Sequence, residues 1–355
     1  MQKLKTIDAD TLTATPLPAL RFVVDGLLPQ GLHILAGAPK IGKSWLALWL
    51  CVRVAKGESV WGFSSTQGSV LYLCLEDSYA RIQRRLFQIT EDAPADLHFA
   101  NLSERIGEGL ETQLQEFFRE HPDTKLVVID TLQKVRGAAA DSNPYANDYR
   151  DISALSPLAD QQGVAILLIH HLRKMNDDDP FNMISGTTGI SGAADSSFVL
   201  RPSKRGSSTA TLFCTGRDIG YRELSLKFQK ETHTWELTEP VNDAMEPVDP
   251  ELVRLSDFLA ALSVFDGTAT ELSTLLEEKT GEQVLPSVLA KRLVRYTSEL
   301  DKLGIRITAT RTRDTRLLHI RCDGNDGNDG KTDTGPVPDF LSQPSHLSQG
   351  QCPPV

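Results

Sequence analysis

Residues 32–50 read LHILAGAPKIGKSWLALWL, and this stretch decides the fold. Five residues, Leu32–Ala36, are too short and too uniformly apolar for a surface helix and suit a strand buried on both faces. Gly37-Ala38-Pro39-Lys40-Ile41-Gly42-Lys43-Ser44 follows, a complete G-x-x-x-x-G-K-[ST]. Its glycines let successive backbone N–H groups turn inward on phosphate oxygens, and the helix that follows favours negative charge at its N-terminus. That helix is predicted over Lys43–Lys56, with Trp45, Leu46, Leu48, Trp49 and Val52 at helical spacing and Gly57 as C-cap. Strand, glycine loop and helix in this order predict a phosphate cradle made of Gly37 to Ser44, with Trp45 next along the helix.

The same alternation continues outward. Val70–Leu75, Leu126–Ile129, Val164–Ile169 and Phe198–Leu200 are short apolar runs separated by polar or amphipathic stretches. Such runs fit parallel strands joined by crossover helices, so the expected class is α/β with a mainly parallel sheet. Asn143-Pro144 opens a helical stretch toward Gln162 that is either one helix kinked at Pro157 or two, the second capped by Ser156. Thr209–Thr215 and Leu224–Phe228 read as a closing strand pair turning at Asp218–Gly220.

Ligands of a doubly wound sheet gather at the carboxyl ends of its strands. After the first run, Lys43 is placed to meet the β- and γ-phosphates of a nucleotide and Ser44 to supply a hydroxyl to Mg²⁺. The second run ends in Glu76-Asp77, where Glu76 is the candidate general base for water and Asp77 a possible helix cap. LVVI ends in Asp130, the Walker B position, with Mg²⁺ held partly through water. Thr131 follows rather than a second acid, which leaves Glu76 as the available base. VAILLI ends in His170-His171; His170 either reports nucleotide state or is a satisfied core histidine. Beyond it, Arg173 and Lys174 and the glycine-rich segment from Ile184 to Ser197 predict a polar loop that contacts DNA, with Lys134 and Arg136 as weaker candidates. Arg217, in the closing turn, is a candidate arginine finger for a neighbouring subunit, and Arg201 is the other contender.

Together these residues resemble the RecA-like ATPases of the RepA/DnaB type, hexameric helicases of plasmid, phage and mobile-element replication. The resemblance covers roughly residues 22–228. It rests on GAPKIGKS, VLYLCLED, LVVIDT, GVAILLIHHLRK and GTTGISGAAD ahead of a strand ending in Arg201. It implies a RecA-like P-loop NTPase core using ATP and Mg²⁺, with Glu76 as catalytic glutamate, Asp130 as Walker B acid, His170 as sensor and Arg217 as finger. It further implies a cytoplasmic homo-oligomer, a hexamer by preference, that takes single-stranded DNA through central loops. Thr215 stands where relatives often carry the lysine of a Lys-x-Arg pair, a departure that bears on trans-activation.

Residues 1–20 read as a leader, 21–240 as the ATPase domain, and the acidic, proline-bearing VNDAMEPVDP as a linker. Residues 250–322 give three helical patterns, Glu251–Leu262, Thr270–Lys279 and Leu285–Leu303, then alternation in Ile305–Ile320. That is the plan of a small winged-helix-like α+β domain. Between Lys291 and Arg321 nine basic residues face three acidic ones, so this unit is a candidate for duplex DNA. Residues 323–355 are rich in Gly, Asp, Pro, Ser and Gln and are expected to be a disordered tail.

Composition narrows the classes. A net charge of -10 argues against general nucleic-acid affinity but not against a local basic patch. Five scattered cysteines with no C-x-x-C pair argue against a zinc or disulfide framework, and no apolar run is long enough to span a membrane. Besides a helicase-like motor, an ATP-switched DNA-binding regulator and a recombination mediator fit the same residues.

Overall fold

The computed structural model describes residues 4, 6–17, 20–137, 143–173, 177–186, 188–204, 206–239, 249–311 and 316–322. The chain divides into two compact units, Leu20–Asp243 and a second made of Met1–Ala19 with Ala244–Val355. Helix α1 (Ala9–Ala14) belongs to the second unit, capped by the Asp8 side chain.

The Leu20–Asp243 unit opens with a small hairpin, β1 (Phe22–Val24) and β2 (Leu28–Pro29). Strand β3 (Gly31–Gly37) then leads into helix α2 (Lys43–Lys56). Next come β4 (Val70–Cys74), α3 (Tyr79–Ile89), β5 (Leu97–Ala100), α4 (Leu110–Glu120) and β6 (Leu126–Asp130). Helices α5 (Leu132–Val135), α6 (Pro144–Ser153) and α7 (Ser156–Gln162) lead to β7 (Ala165–His171). Helix α8 (Thr188–Ala193) precedes β8 (Ser196–Pro202), and β9 (Thr209–Gly216), β10 (Arg222–Gln229) and β11 (Thr234–Leu237) end the unit.

Strands β3 to β11 form one nine-stranded sheet in the order β11-β10-β9-β8-β3-β7-β6-β4-β5. The six strands from β8 to β5 run parallel, and β9, β10 and β11 extend the sheet antiparallel. This is the α/β architecture with a mainly parallel sheet expected from the sequence. Its central strands are buried on both faces, which is why they read as unbroken apolar runs. Leu35, Tyr72, Val128, Leu167 and Ile169 pack toward α2 on one face. Ile34, Leu73, Ile129, Ile166 and Leu168 pack toward α4, α5 and α7 on the other. Strand β3 lies between β7 and β8, so the loop after it sits at the middle of the carboxyl edge.

Several local expectations change. The stretch from Pro144 is two helices, but Leu155, in helical conformation, precedes the second; Ser156 is its first residue and caps nothing. The segment expected as a long polar loop holds α8, because Ile190 finds a place in the core. Strand β5 has no counterpart in the sequence reading. It is a sheet-edge strand with only Leu97 fully buried, so it lacks the apolar run that marks its neighbours.

In the second unit, α9 (Pro250–Leu262) is followed by β12 (Val264–Gly267), α10 (Ala269–Thr280), α11 (Pro286–Arg295) and α12 (Thr297–Lys302), then β13 (Ile305–Arg311) and β14 (Arg316–Cys322). The sheet has three strands, β12-β14-β13, where two were expected. The third predicted helix is broken at Tyr296, whose hydroxyl bonds Asp249 and Glu251. Leu259, Leu272, Leu289, Leu293, Leu300 and Ile320 form the core. Helix α10 starts with a full capping box between Thr268 and Glu271. The basic residues are partly spoken for: Arg292 bridges Glu251 and Glu282, Arg321 pairs with Asp266, and Lys291 with Asp10. The expected linker residues 241–248 and tail 323–355 lie outside the described residues, as do Lys174 and Arg313.

Candidate nucleotide site

The loop Gly37–Ser44 turns between β3 and α2 as its glycines require. Gly42 precedes the helix at φ 104°, a conformation open chiefly to glycine. A Cβ there would come within 3.2 Å of the Trp235 ring, whose Nε1 donates to the Gly42 carbonyl at 3.3 Å. At Gly37 a Cβ would press on the Leu200 carbonyl and on the Lys43 side chain, at 3.0 and 3.1 Å. Pro39 and Lys40 are exposed on the outside of the turn, while Ala38, Ile41 and Ser44 are half-buried. Among the described residues no side chain caps the N-terminus of α2. Its first-turn N–H groups are therefore left for an anion, as a phosphate cradle needs.

Lys43 is buried, and its Nζ donates to the carbonyls of Gly37 at 2.7 Å and Ala38 at 3.0 Å. Burial lowers its pKa to about 8, against the pull of the Asp130 and Glu76 carboxylates, which favour the charged form. The ammonium thus bridges the loop on the side where both acids lie. Trp45 packs against His233, with ring centroids 4.6 Å apart, and carries the Arg85 guanidinium over its ring.

Asp130 ends β6, buried on the α2 face of the sheet. Tyr72, wholly buried in β4, donates its hydroxyl to Asp130 Oδ2 at 2.8 Å, and the Ser44 hydroxyl bonds the same carboxylate. Burial raises the Asp130 pKa, and these two hydrogen bonds oppose it. Among the described residues no cluster of three or more His, Cys, Asp or Glu could enclose a metal by itself. One buried carboxylate beside a serine hydroxyl suits Mg²⁺, which keeps water and takes substrate oxygens for most of its shell.

Of the two acids after β4, Asp77 is occupied by Arg81 at 2.7 Å and Arg85 at 2.5 Å. Ser78, and not Asp77, caps α3. Glu76 is exposed and accepts one long hydrogen bond, from Thr131 Oγ1 at 3.2 Å. Thr131, buried after a cis Asp130–Thr131 peptide, therefore links the ends of β6 and β4. Lys43, Ser44, Glu76 and Asp130 come together at one edge of the sheet.

Of the remaining candidates, His170 lies at the same carboxyl edge, opposite Ala36 of β3. His170 is buried with its Nε2 against the Ser185 carbonyl at 3.0 Å, and burial lowers its pKa to about 4. Arg136 is not a free DNA contact: it bridges Asp148 at 2.5 Å and Asp151 at 3.2 Å, both buried on α6. Lys134 and Arg173 are exposed. Arg217 follows β9 where Gly216 pairs with Ser196, at the amino ends of the parallel strands and so at the opposite rim from this chain's own P-loop. It pairs with Asp195 at 3.0 Å, and Asp195 also accepts from Leu32 N–H at 2.8 Å. Arg201 lies one residue beyond Leu200, the partner of Gly37, on the P-loop rim.

Sequence reasoning missed Tyr72, Thr131, Trp235 and Asp195. Tyr72 sits in an apolar run where a core tyrosine is unremarked, and the other three acquire a role only through strand order.

Residues 1–177 match the family model for an AAA domain. This match assigns the first 177 residues to the AAA-domain family. Two solved structures resemble the chain at low identity. One is described as an ATPase domain, at 16% identity and TM-score 0.49, covering 59% of this chain and 85% of the other. The second is described as a DnaB-like replicative helicase and its interactions with primase, at 17% identity and TM-score 0.48. This chain spans 58% of that second protein, and the match covers 61% of this one. No curated protein sequence matches the chain significantly. Among the described residues no helix is long and apolar enough to cross a membrane.

Proposed function

We propose that this protein hydrolyses ATP with Mg²⁺ and does so in a DNA-dependent cycle, as a helicase-like replication protein of the RepA/DnaB type. The observation that carries the reading is the meeting of Lys43, Ser44, Asp130 and Glu76 at the carboxyl edge of the sheet, beside an uncapped helix N-terminus. Gly37 to Trp45 would cradle the phosphates, with Lys43 exchanging the Gly37 and Ala38 carbonyls for phosphate oxygens. Ser44 and Asp130 would hold Mg²⁺, which neutralises phosphate charge when bound. Glu76, which among the described residues has only Thr131 on its carboxylate, would accept the proton of the attacking water. His170, tied to the 185 loop through the Ser185 carbonyl, would relay nucleotide state to that loop.

Arg217, on the rim away from its own P-loop, is the residue we assign as a finger acting on a neighbour, with Arg201, on the near rim, as the other contender. A homo-oligomer, a hexamer by preference, follows from that reading. The helix–strand–helix–helix–helix–strand–strand order of the second unit, after α1, supports a winged-helix-like reading, and we assign it duplex contact. That order also supports a second reading, an ATP-switched DNA-binding regulator.

Steady-state ATP hydrolysis with and without single-stranded DNA, at low and moderate salt, separates the two. The motor predicts stimulation of about ten-fold or more. A slow rate indifferent to single strands, with duplex binding by the full chain that depends on nucleotide, would replace it with the regulator.

A further inference from the structure

Helix α6 has two unlike faces. Its inner face buries Asn147, Asp148, Asp151 and Ile152, and Arg136 spans both acids. Both carboxylates of the helix are thereby turned inward and neutralised. Its outer face carries Tyr145 and Tyr149, one helical turn apart, each 47% exposed, with planes only 13° from parallel and centroids 6.3 Å apart. Arg150, next in sequence to Tyr149, is exposed, its guanidinium held by the Asn147 side chain at 2.6 Å. In a chain of net charge -10, this face offers two flat rings and a cation, with no acid among its described residues.

We propose that this face of α6 is a stacking platform for the bases of single-stranded nucleic acid. Exposed aromatic rings accept any base by its π-face, and an adjacent arginine serves the backbone or stacks in turn. The chain path gives the platform a connection to the nucleotide site. Asp130 ends β6, α5 follows at once, and Arg136 next after α5 fastens that segment to α6 through Asp148 and Asp151. A shift at Asp130 therefore has a charged strut to the helix that carries the rings. This assignment rests on the DNA-dependent reading above and names where the strand is held.

The test uses the full chain, with Tyr145→Ala/Tyr149→Ala and Tyr145→Phe/Tyr149→Phe double variants. Fluorescence anisotropy follows binding of an oligothymidylate and of an abasic oligomer of equal length, and sedimentation gives the oligomeric state. The alanine pair should bind oligothymidylate about ten-fold or more weakly, and the phenylalanine pair should keep the affinity. Wild type should prefer oligothymidylate over the abasic strand, and the alanine pair should lose that preference. Equal affinity of the alanine pair and wild type for oligothymidylate would overturn the platform while leaving DNA dependence standing. Failure of wild type to bind single strands at all would overturn both. Altered sedimentation with an unchanged base preference would assign the rings to contact with another copy of the chain instead.

Discussion

Replacing Tyr72 by Phe removes one oxygen from the floor of the site and little else. The ring is fully buried and keeps its edge-on packing against Phe99, at 6.0 Å between centroids. What is lost is the hydrogen bond to Asp130 Oδ2 at 2.8 Å, a buried bond to a carboxylate that is 6% exposed. Bonds to charged groups are worth about 1.5–3 kcal/mol, and the loss falls on a buried acceptor. For a unit of this size each kcal/mol moves Tm by about 2–4 °C, so the expected drop is roughly 3–12 °C. The freed carboxylate also loses one of its two orienting donors, so half-saturation with Mn²⁺, read by electron paramagnetic resonance with nucleotide present, should move several-fold. Thermal unfolding and Mn²⁺ titration of the same preparation are the assay. An unchanged Tm together with an unchanged Mn²⁺ curve would refute the claim that Tyr72 holds Asp130 in place.

Further outcomes follow from other parts of the unit. Gly42→Ala should weaken nucleotide binding and lower Tm, because φ 104° strains any side chain by about 1–3 kcal/mol and the new Cβ meets Trp235; wild-type affinity and Tm would contradict the close approach. Buried His33 and His170 both have folded-state pKa values lowered to about 4, so the unfolded chain binds more protons below about 6.5. Stability should fall as pH drops from about 6.5 toward 4 and level off below, costing about 2 kcal/mol per histidine at pH 5. Urea titrations across that window check it, and His33→Gln should remove about half of the slope; a slope untouched by that change would exclude His33 as its source. Mixing Arg217→Ala protein into wild type should depress turnover out of proportion to its share, whereas a strictly proportional loss would remove the trans-acting finger.

The sequence announced the sheet where physics leaves a local trace. Strands buried on both faces must be continuously apolar, so β3, β4, β6, β7 and β8 could be read directly, together with the glycine loop after β3. Edge strand β5 left no such trace. The partnership of Tyr72 with Asp130 was hidden because it depends on β4 lying beside β6, with Cys74 opposite Asp130. Arg136 looked like a nucleic-acid contact because sequence shows a charge but not its partner, and its partners lie 12 and 15 residues away. For Arg217 the residue type was visible, but the rim it occupies is fixed only by the antiparallel course of β9. Ser156 failed as a cap because the preceding backbone is already helical at Leu155.

The most direct test of the account is Glu76→Gln, followed by nucleotide binding and turnover side by side. The account predicts ATP affinity close to wild type, since Glu76 is exposed and among the described residues its carboxylate bonds only Thr131, with hydrolysis reduced about a hundred-fold or more, the order of a general base. Turnover near the wild-type rate, or equal loss of binding and turnover, would contradict it and place the water-activating group elsewhere.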